Sequence, residues 1–193
     1  MKQIKSFVLF LTLLVSTISY AQTLSQTFTW NGLTMRYPSD YKITNQNIFW
    51  DEDAVWDEED DVYLGEDVYT FNCGSTDDNV ISKMTVTFYF ALSIPNNSDE
   101  VLTECQKALT DYVDAYIDKD NKDIQRSNIT VDKSKSYPCV YQTLTATNPN
   151  NKAIAKVVVS IQGNMVVEVS MVADNPSHLS TLESIANSIK RQR

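Results

Sequence analysis

The sequence predicts an α+β fold in which an antiparallel β-sheet is flanked by a long central helix and a C-terminal helix. Three observations support this prediction. Apolar and polar residues alternate with the period of a β-strand on both sides of one helical stretch, four strand-like stretches follow that helix, and a second helical pattern ends the chain. Because the strands follow one another in runs, their order favours antiparallel pairing over βαβ units.

The first predicted elements form a β-hairpin. Two strand-like runs, residues 27–30 and 33–37, flank the dipeptide Asn31-Gly32. Asparagine and glycine accept the positive φ angles of a type I′ turn, which favours a two-residue hairpin connection here. Further strands are predicted at residues 41–49, 62–73 and 80–94.

A long central helix is predicted after Pro95, which ends the strand over residues 80–94. Asn97 and Glu100 have the spacing of a capping box, which favours a helix start at this point. Apolar residues then recur at helical spacing to about Asp118, so the helix has one face to bury. The residues of that face are Val101, Leu102, Cys105, Leu109, Tyr112, Val113 and Tyr116.

Four more strands are predicted in the second half of the chain, after a polar loop at residues 119–128. Gly163-Asn164 favours a tight hairpin turn between the last two of them. The predicted strands cover residues 129–135, 139–147, 153–162 and 165–173.

The final predicted element is a helix that continues to the C-terminus. Residues 174–177 include a proline and supply the cap and first-turn chemistry of a helix start. The C-terminal end of this helix, which is the negative end of its dipole, would be stabilised by three basic residues, Lys190, Arg191 and Arg193. Leu179, Leu182, Ile185, Ala186 and Ile189 form its apolar stripe.

Residues 1–21 have the organisation of a secretory signal peptide. Two lysines form a positive n-region, residues 7–15 form an apolar h-region, and the segment ends in the small residue Ala21. The apolar run is too short to span a bilayer, and no cysteine follows the predicted cut, which argues against a lipoprotein. We therefore expect an exported protein, periplasmic or secreted, with one domain over residues 22–193 and no transmembrane segment in the mature chain.

Negative charge is concentrated in one region of the chain. Because residues 1–21 carry two lysines and no acidic residue, the mature chain has a net charge of −11. Twelve acidic residues lie between Lys42 and Lys83, where no Lys, Arg or His occurs, and the rest of the mature chain sums to +1. Nucleic-acid binding requires clustered Lys and Arg, so no nucleic-acid partner is predicted.

Residues 49–63, which we call the acidic–aromatic segment, carry the predicted contact surface. Eight carboxylates lie within residues 51–61, and their mutual repulsion predicts an extended acidic loop at about residues 50–61. Aromatic anchors with a charged rim are typical of protein interaction surfaces. The predicted partner is an unidentified protein of basic chemistry. The predicted contact residues are Trp50, Trp56, Asp57, Glu58, Glu59, Asp60 and Asp61.

Two other interpretations of this segment stay open. The simplest is a solvated loop whose aromatic side chains attach it to the sheet. The other is a calcium site, because Ca²⁺ takes six to eight oxygen ligands, although the glycine that an EF-hand loop needs at its sixth position is absent. No other cofactor is predicted. The candidate calcium ligands are Asp51, Asp53, Asp57, Glu59 and Asp61.

Enzyme chemistry has little support in the sequence. His178 is the only histidine, and it lies in the first turn of the last predicted helix, which does not favour a Ser-His-Asp or Cys-His site. Because acidic residues are abundant, a carboxylate-dependent hydrolase is the alternative, and it would need two carboxyl groups about 5–10 Å apart in a cleft. The main prediction is an exported, non-enzymatic binding or assembly protein.

The three cysteines allow at most one disulfide within a monomer. Cys105 lies on the apolar stripe of the central helix and is predicted to be a small core residue. A bridge between Cys73 and Cys139 is the first pairing to test, although spacing alone does not determine connectivity. An exported chain permits disulfides.

The order of elements and three local patterns resemble the PsbP-like superfamily, which includes bacterial DcrB-like exported proteins. The patterns are the hairpin over residues 30–38 that ends in an aromatic–proline pair, the apolar strand 84–92 that leads through Pro95 to a long helix, and the closing hairpin with its C-terminal helix. The resemblance implies a PsbP-like sandwich over nearly the whole mature chain and a binding or assembly role without catalysis. The acidity of residues 50–70 departs from the superfamily pattern.

Overall fold

The fold is taken from a computed structural model. It describes residues 23–50, 56–57, 62–63, 67–91, 98–117, 121–134, 137–147 and 153–192. The predicted signal peptide lies outside the described residues. Within these residues the chain forms thirteen β-strands and two α-helices, and neither helix is long and apolar enough to cross a membrane.

The strands are β1 (Gln26–Trp30), β2 (Leu33–Tyr37), β3 (Tyr41–Trp50), β4 (Trp56–Asp57), β5 (Val62–Tyr63), β6 (Asp67–Ser75), β7 (Ser82–Phe90), β8 (Ile124–Arg126), β9 (Thr130–Asp132), β10 (Cys139–Ala146), β11 (Ile154–Gln162), β12 (Met165–Ala173) and β13 (Lys190–Arg191). The helices are α1 (Ser98–Tyr116) and α2 (Pro176–Asn187).

One antiparallel sheet of eight strands dominates the molecule. Its order is β3-β6-β7-β12-β11-β10-β8, and β9 pairs with β10 as the eighth strand. Strands make up 52% of the structure and helices 22%. The predicted α+β sandwich with a long central helix is therefore wrong, because the fold is mostly β and its two helices are minor elements packed on a large sheet.

The helix α1 is peripheral because the strands before and after it belong to one continuous sheet, in which the chain re-enters at the far end as β8. The strand before the helix, β7, pairs directly with β12 over nine residue pairs, from Met165↔Phe90 to Ala173↔Ser82. This pairing joins the strands on both sides of the helix into one sheet. The helix packs mainly against β10 and β11. Periodicity identified the strands individually, but it does not show which distant strands pair.

The sheet carries a core on each face. On one face the β1-β2 hairpin and α2 cover strands β6, β7 and β12, and the buried cluster there includes Leu33, Phe71, Phe88, Met171 and Leu182. On the other face α1 covers β10 and β11. That second cluster includes Leu102, Cys105, Leu109, Val140 and Val159. The prediction that Cys105 is a core residue is thus confirmed, since it is 1% exposed.

The predicted hairpin at the start of the domain is confirmed. Strands β1 and β2 pair in register from Gln26↔Tyr37 to Trp30↔Leu33. Asn31 and Gly32 have φ angles of 45° and 81°, which is the left-handed conformation that a type I′ turn requires.

The C-terminal residues form a strand, so the prediction of a helix to the C-terminus is wrong at its end. Helix α2 stops at Asn187, and the Ser188 hydroxyl donates to the backbone carbonyls of Ile185 and Arg36. These bonds turn the chain toward the hairpin, where Lys190 and Arg191 pair with β2 as strand β13. The strand that pairs with β13 is β2, which is distant in sequence. The sequence analysis therefore relied on the local charge pattern, which favoured a helix.

The predicted loop after α1 also contains a short strand. Residues of β8 pair with β10, so the prediction of a continuous loop over residues 119–128 is wrong at this strand. Arg126 holds the strand against α1, because its guanidinium donates to Asp114 at 2.7 Å and to the Ile117 carbonyl. The sequence did not indicate this strand because it is only three residues long and contains a single apolar residue, Ile124, which packs against the core under α1.

Candidate functional site

The acidic–aromatic segment is partly described. Trp50 ends strand β3 and pairs with Asp67 on β6. Beyond it, Trp56 pairs with Tyr63 and Asp57 with Val62, which gives a two-stranded antiparallel ladder, β4-β5. These two pairs of residues therefore lie antiparallel to each other. The predicted contact residues Glu58, Glu59, Asp60 and Asp61 lie outside the described residues.

The candidate calcium ligands are not tested by the structure. Asp51, Asp53, Glu59 and Asp61 lie outside the described residues, and only the backbone of Asp57 is described, in β4. Among the residues that the structure describes, no group of three His, Cys, Asp or Glu side chains could hold a metal ion. The calcium interpretation of the loop stays a prediction.

Strand β3, which leads into the acidic–aromatic segment, is the open edge of the large sheet. It pairs with β6 on one side, and no described strand pairs with its other side. Asn45 has a φ angle of 53° and the register shifts between Thr44 and Asn47, which is a β-bulge that divides the edge into two halves. In the second half, Ile48 and Phe49 are 50% and 52% exposed. Since adjacent strand residues point to opposite faces, apolar surface is exposed on both sides of the edge.

The structure separates the two cysteines that were predicted to pair. Cys73 lies on β6 and Cys139 on β10, and all three cysteines are buried and form no disulfide. Strands β6 and β10 are four positions apart in the sheet, a separation of about 19 Å at about 4.8 Å per strand. A disulfide needs Cα atoms within about 7 Å, so a Cys73–Cys139 bridge does not fit this fold. Sequence spacing could not show this, because strand order decides the distance.

We expect the three thiols to be unreactive in the folded protein. Burial raises the pKa of Cys73 to about 12 and that of Cys105 to about 11, so little reactive thiolate forms near neutral pH. Alkylation with iodoacetamide at pH 8, followed by mass spectrometry, should label no cysteine in the native protein and three in guanidinium chloride. Labelling of a single cysteine in the unfolded, unreduced protein would instead demonstrate a disulfide.

A groove crosses the face of the sheet that carries α2. We call it the helix–sheet groove. Its floor is formed by β10, β11 and β12, one wall by α2 and the residues after it, and the other by the end of β9 and residues 134 and 137. Its volume is about 470 Å³, within the range of small-molecule sites. From Lys156 to Gln162 along β11 the groove extends about 20 Å, at about 3.3 Å per residue.

A partly buried ion pair lies at one end of the helix–sheet groove. Lys156 Nζ lies 2.6 Å from Glu183 Oε1 and 3.9 Å from the centroid of the Tyr141 ring, and the lysine side chain is only 16% exposed. Asp132 also lines the groove, and it accepts hydrogen bonds from the backbone and hydroxyl of Ser134. Both carboxylates therefore have partners. The groove does not present the free carboxyl pair that the hydrolase alternative would need.

The comparisons with known proteins identify the fold alone. No family model and no curated protein matches the chain. Eleven chains of solved structures match it. One is a crystal structure of a protein from Bacteroides thetaiotaomicron VPI-5482 at 1.50 Å resolution, with a TM-score of 0.52 and 13% sequence identity. The match covers 89% of this chain and 50% of the other, so this chain spans about half the length of that structure. The resemblance to the PsbP-like superfamily is not tested and stays a prediction.

The only histidine is engaged in a local hydrogen-bond network. His178 Nδ1 lies 2.6 Å from Asp174 Oδ1, and the hydrogen bond to this histidine lowers the pKa of the Asp174 carboxyl. Asn175 caps α2 by accepting from the backbone of His178. This network fixes the start of the helix, as the cap chemistry at residues 174–177 predicted.

Sequence reasoning missed the helix–sheet groove. Along β11, Lys156, Val158, Ser160 and Gln162 share one face, and such a mixed polar face predicts exposure to solvent. The available signal was the lysine itself, which is the only charged residue of the strand. Its partner Glu183 is 27 residues away, on α2. Because the two residues are so far apart in the chain, the sequence alone does not indicate the ion pair.

Proposed function

We propose that this protein is an exported, non-enzymatic binding or assembly protein that contacts a basic protein partner through strand β3 and the acidic–aromatic segment. The observation that carries this proposal is the pair of half-exposed apolar side chains, Ile48 and Phe49, on an open sheet edge that leads directly into eight carboxylates. An open edge presents unpaired backbone donors and acceptors, to which an extended segment of another chain can add as a strand.

Charge supports a basic partner and disfavours pairing between two copies of this chain. Two copies joined through β3 would bring together two mature chains that each carry a net charge of −11, and like charges repel. A partner segment rich in Lys and Arg would be attracted to the same place. Complementary charge of this kind increases the association rate and excludes wrong partners.

We expect the double substitution Ile48→Thr/Phe49→Thr to abolish most of the binding. Threonine keeps the strand propensity but removes most of the apolar surface. Burying the exposed halves of both side chains would contribute about 2 kcal/mol, or roughly thirty-fold in affinity. The measurement is affinity capture from envelope extract of the source organism, followed by titration of the captured protein against the variant.

Ile81→Thr provides a matched control, because Ile81 is 47% exposed at the start of β7, away from the β3 edge. It should bind as the unmodified protein does. A second variant, with the eight acids at residues 51–61 changed to Asn or Gln, should bind more weakly and lose its dependence on salt. Unchanged capture by both the edge variant and the acid variant would contradict the proposal.

A further inference from the structure

We propose that a concave surface on the face of the large sheet that carries α1 binds an acidic oligosaccharide, and that Lys42 and Lys83 hold the acid group of the sugar between them. We call it the two-lysine surface. Its volume is about 390 Å³, and it lies over the first half of β3 and over β6, β7 and β12, whereas α1 packs mainly against β10 and β11. The β-bulge of β3 separates it from Ile48 and Phe49, so the inference does not depend on the proposed protein partner.

The charge of the ligand follows from the two lysines, which are the only charged residues that line this surface in the described part of the chain. Lys42 on β3 and Lys83 on β7 both lie opposite Gly74 on β6. Their side chains therefore project from the same face, with Cα atoms about 10 Å apart at about 4.8 Å per strand. Because glycine has no side chain, the space between the two ammonium groups is open, and an anion there would interact with both positive charges.

Neither lysine is neutralised by a neighbour. Both are exposed, and neither forms an ion pair or a side-chain hydrogen bond with any residue that the structure describes. Carboxylates occur in the turns at this end of the sheet, but none of them lines the surface or pairs with either lysine. These residues are Asp40, Asp77, Asp78 and Asp174.

A row of uncharged hydrogen-bonding groups lies beside the lysines. Thr44, Asn72, Thr85 and Ser170 are in register across β3, β6, β7 and β12, and they alternate with core residues of the other face, such as Met84. The Thr85 hydroxyl donates to Asn72 Oδ1 at 2.8 Å. The amide hydrogens of Asn72 and the hydroxyls of Thr44 and Ser170 have no described partner. They can therefore donate to, or accept from, the hydroxyls of a sugar.

The same lining disfavours other classes of anion. Val172 is the only apolar side chain on this face of the surface, so the acyl chain of a lipid would have little to contact. Among the described residues that line it there is no aromatic ring on which a nucleobase could stack. A hydroxyl-rich anion is the class that uses both the lysines and the neutral row.

The polar face continues away from the lysines and gives the ligand a direction. Thr70, Thr87 and Glu168 form the next row, four residues along β7 from Lys83, or about 13 Å at about 3.3 Å per residue. Glu168 has no hydrogen bond to a described residue, and burial raises the pKa of its carboxyl. A carboxyl group can accept from a sugar hydroxyl but opposes a second acid group. The sugar would therefore lie with its acid end at the lysines and neutral units toward Glu168.

The test is titration of the isotope-labelled protein with four small ligands, followed by NMR of the backbone amides. Sialyllactose and lactose sulfate carry one acid group at one end, lactose is the uncharged sugar, and acetyl-Asp-Gly-Gly-amide has the acid without the hydroxyls. We expect at least one acidic sugar to bind about tenfold more tightly than lactose and than the peptide, with the largest shifts at Asn72 and Gly74. Binding of only one acidic sugar would distinguish a carboxylate from a sulfate. Equal affinity for the peptide or for lactose, or no binding of either acidic sugar, would overturn the proposal.

Three variants locate the site. Lys42→Gln/Lys83→Gln should weaken binding of the acidic sugar about tenfold or more. Lys107→Gln/Lys122→Gln is the charge-matched control, because both lysines are exposed and lie outside the two-lysine surface, and it should change nothing. Ser170→Ala removes a hydroxyl that has no described partner and should weaken sugar binding about threefold without affecting stability. An equal effect of the two double variants would show that only net charge matters and would reject the site.

Discussion

Phe88→Ala should destabilise the protein by about 3–5 kcal/mol, which is the usual cost of removing a fully buried phenylalanine. Phe88 is 0% exposed and lies at the centre of an aromatic cluster on β7. Its ring stacks on Tyr69 at 5.0 Å and meets Trp30 edge-on at 6.0 Å. These contacts join the hairpin, β6 and β7, so the cavity would open where three elements meet. Urea denaturation, monitored by tryptophan fluorescence, measures the loss of unfolding free energy.

Two control substitutions make this prediction specific. Phe88→Leu conserves much of the volume and should cost only about 1–2 kcal/mol, since it removes the ring contacts but leaves a smaller cavity. Phe49→Ala makes the same chemical change at a side chain that is 52% exposed, and should alter the stability by no more than about 0.5 kcal/mol. A similar loss of stability for Phe88→Ala and Phe49→Ala would contradict the described core.

The stability of the protein should fall steeply above pH 9. Burial raises the pKa of Cys73 from 9.0 to about 12. Above pH 9 the unfolded chain loses the thiol proton while the folded chain retains it, so each rise in pH favours unfolding until pH 12. At pH 10.5 this difference amounts to about 2 kcal/mol. Burial also raises the pKa of Cys105 and of Tyr41, and both groups act in the same direction.

The substitution Cys73→Ala separates the contribution of this thiol. At pH 8 the variant should be less stable than the unmodified protein, and by pH 10.5 the difference should shrink by about 2 kcal/mol. Val86→Ala is the matched control, because Val86 is equally buried in the same core but does not titrate. The difference in unfolding free energy between Val86→Ala and the unmodified protein should stay constant with pH. If the stability of Cys73→Ala and of the unmodified protein changed in parallel with pH, the pH dependence would not arise from the Cys73 thiol.

The sequence predicted the local elements better than their assembly. The β1-β2 hairpin, strand β7, the start of α2 and the Gly163 turn depend on neighbouring residues, and the structure contains all of them. The wrong predictions share a different origin. The fold class, the Cys73–Cys139 bridge and the end of the last helix depend on which distant strands pair, and a periodic pattern contains no information on partners.

The candidate surfaces also divide into one that depends on neighbouring residues and one that depends on distant contacts. The acidic–aromatic segment is visible in the sequence because its charges are consecutive. The helix–sheet groove is not, because Lys156 and Glu183 meet only after α2 packs across the sheet. The exposure of Ile48 and Phe49 depends on strand order as well, since a strand of the same sequence in the middle of the sheet would be covered.

The pairing of β13 with β2 has a consequence for when the protein can finish folding. The backbone N–H of Gln192 donates to the Gly32 carbonyl at 2.6 Å, so residues almost at the two ends of the described chain are hydrogen-bonded. Contacts of such high sequence separation form slowly, because a long loop must close first. The small sheet cannot close until residues 190–192 have left the ribosome, long after the hairpin itself has been synthesised. Its closure therefore depends on docking of α2, which brings these residues back to β2.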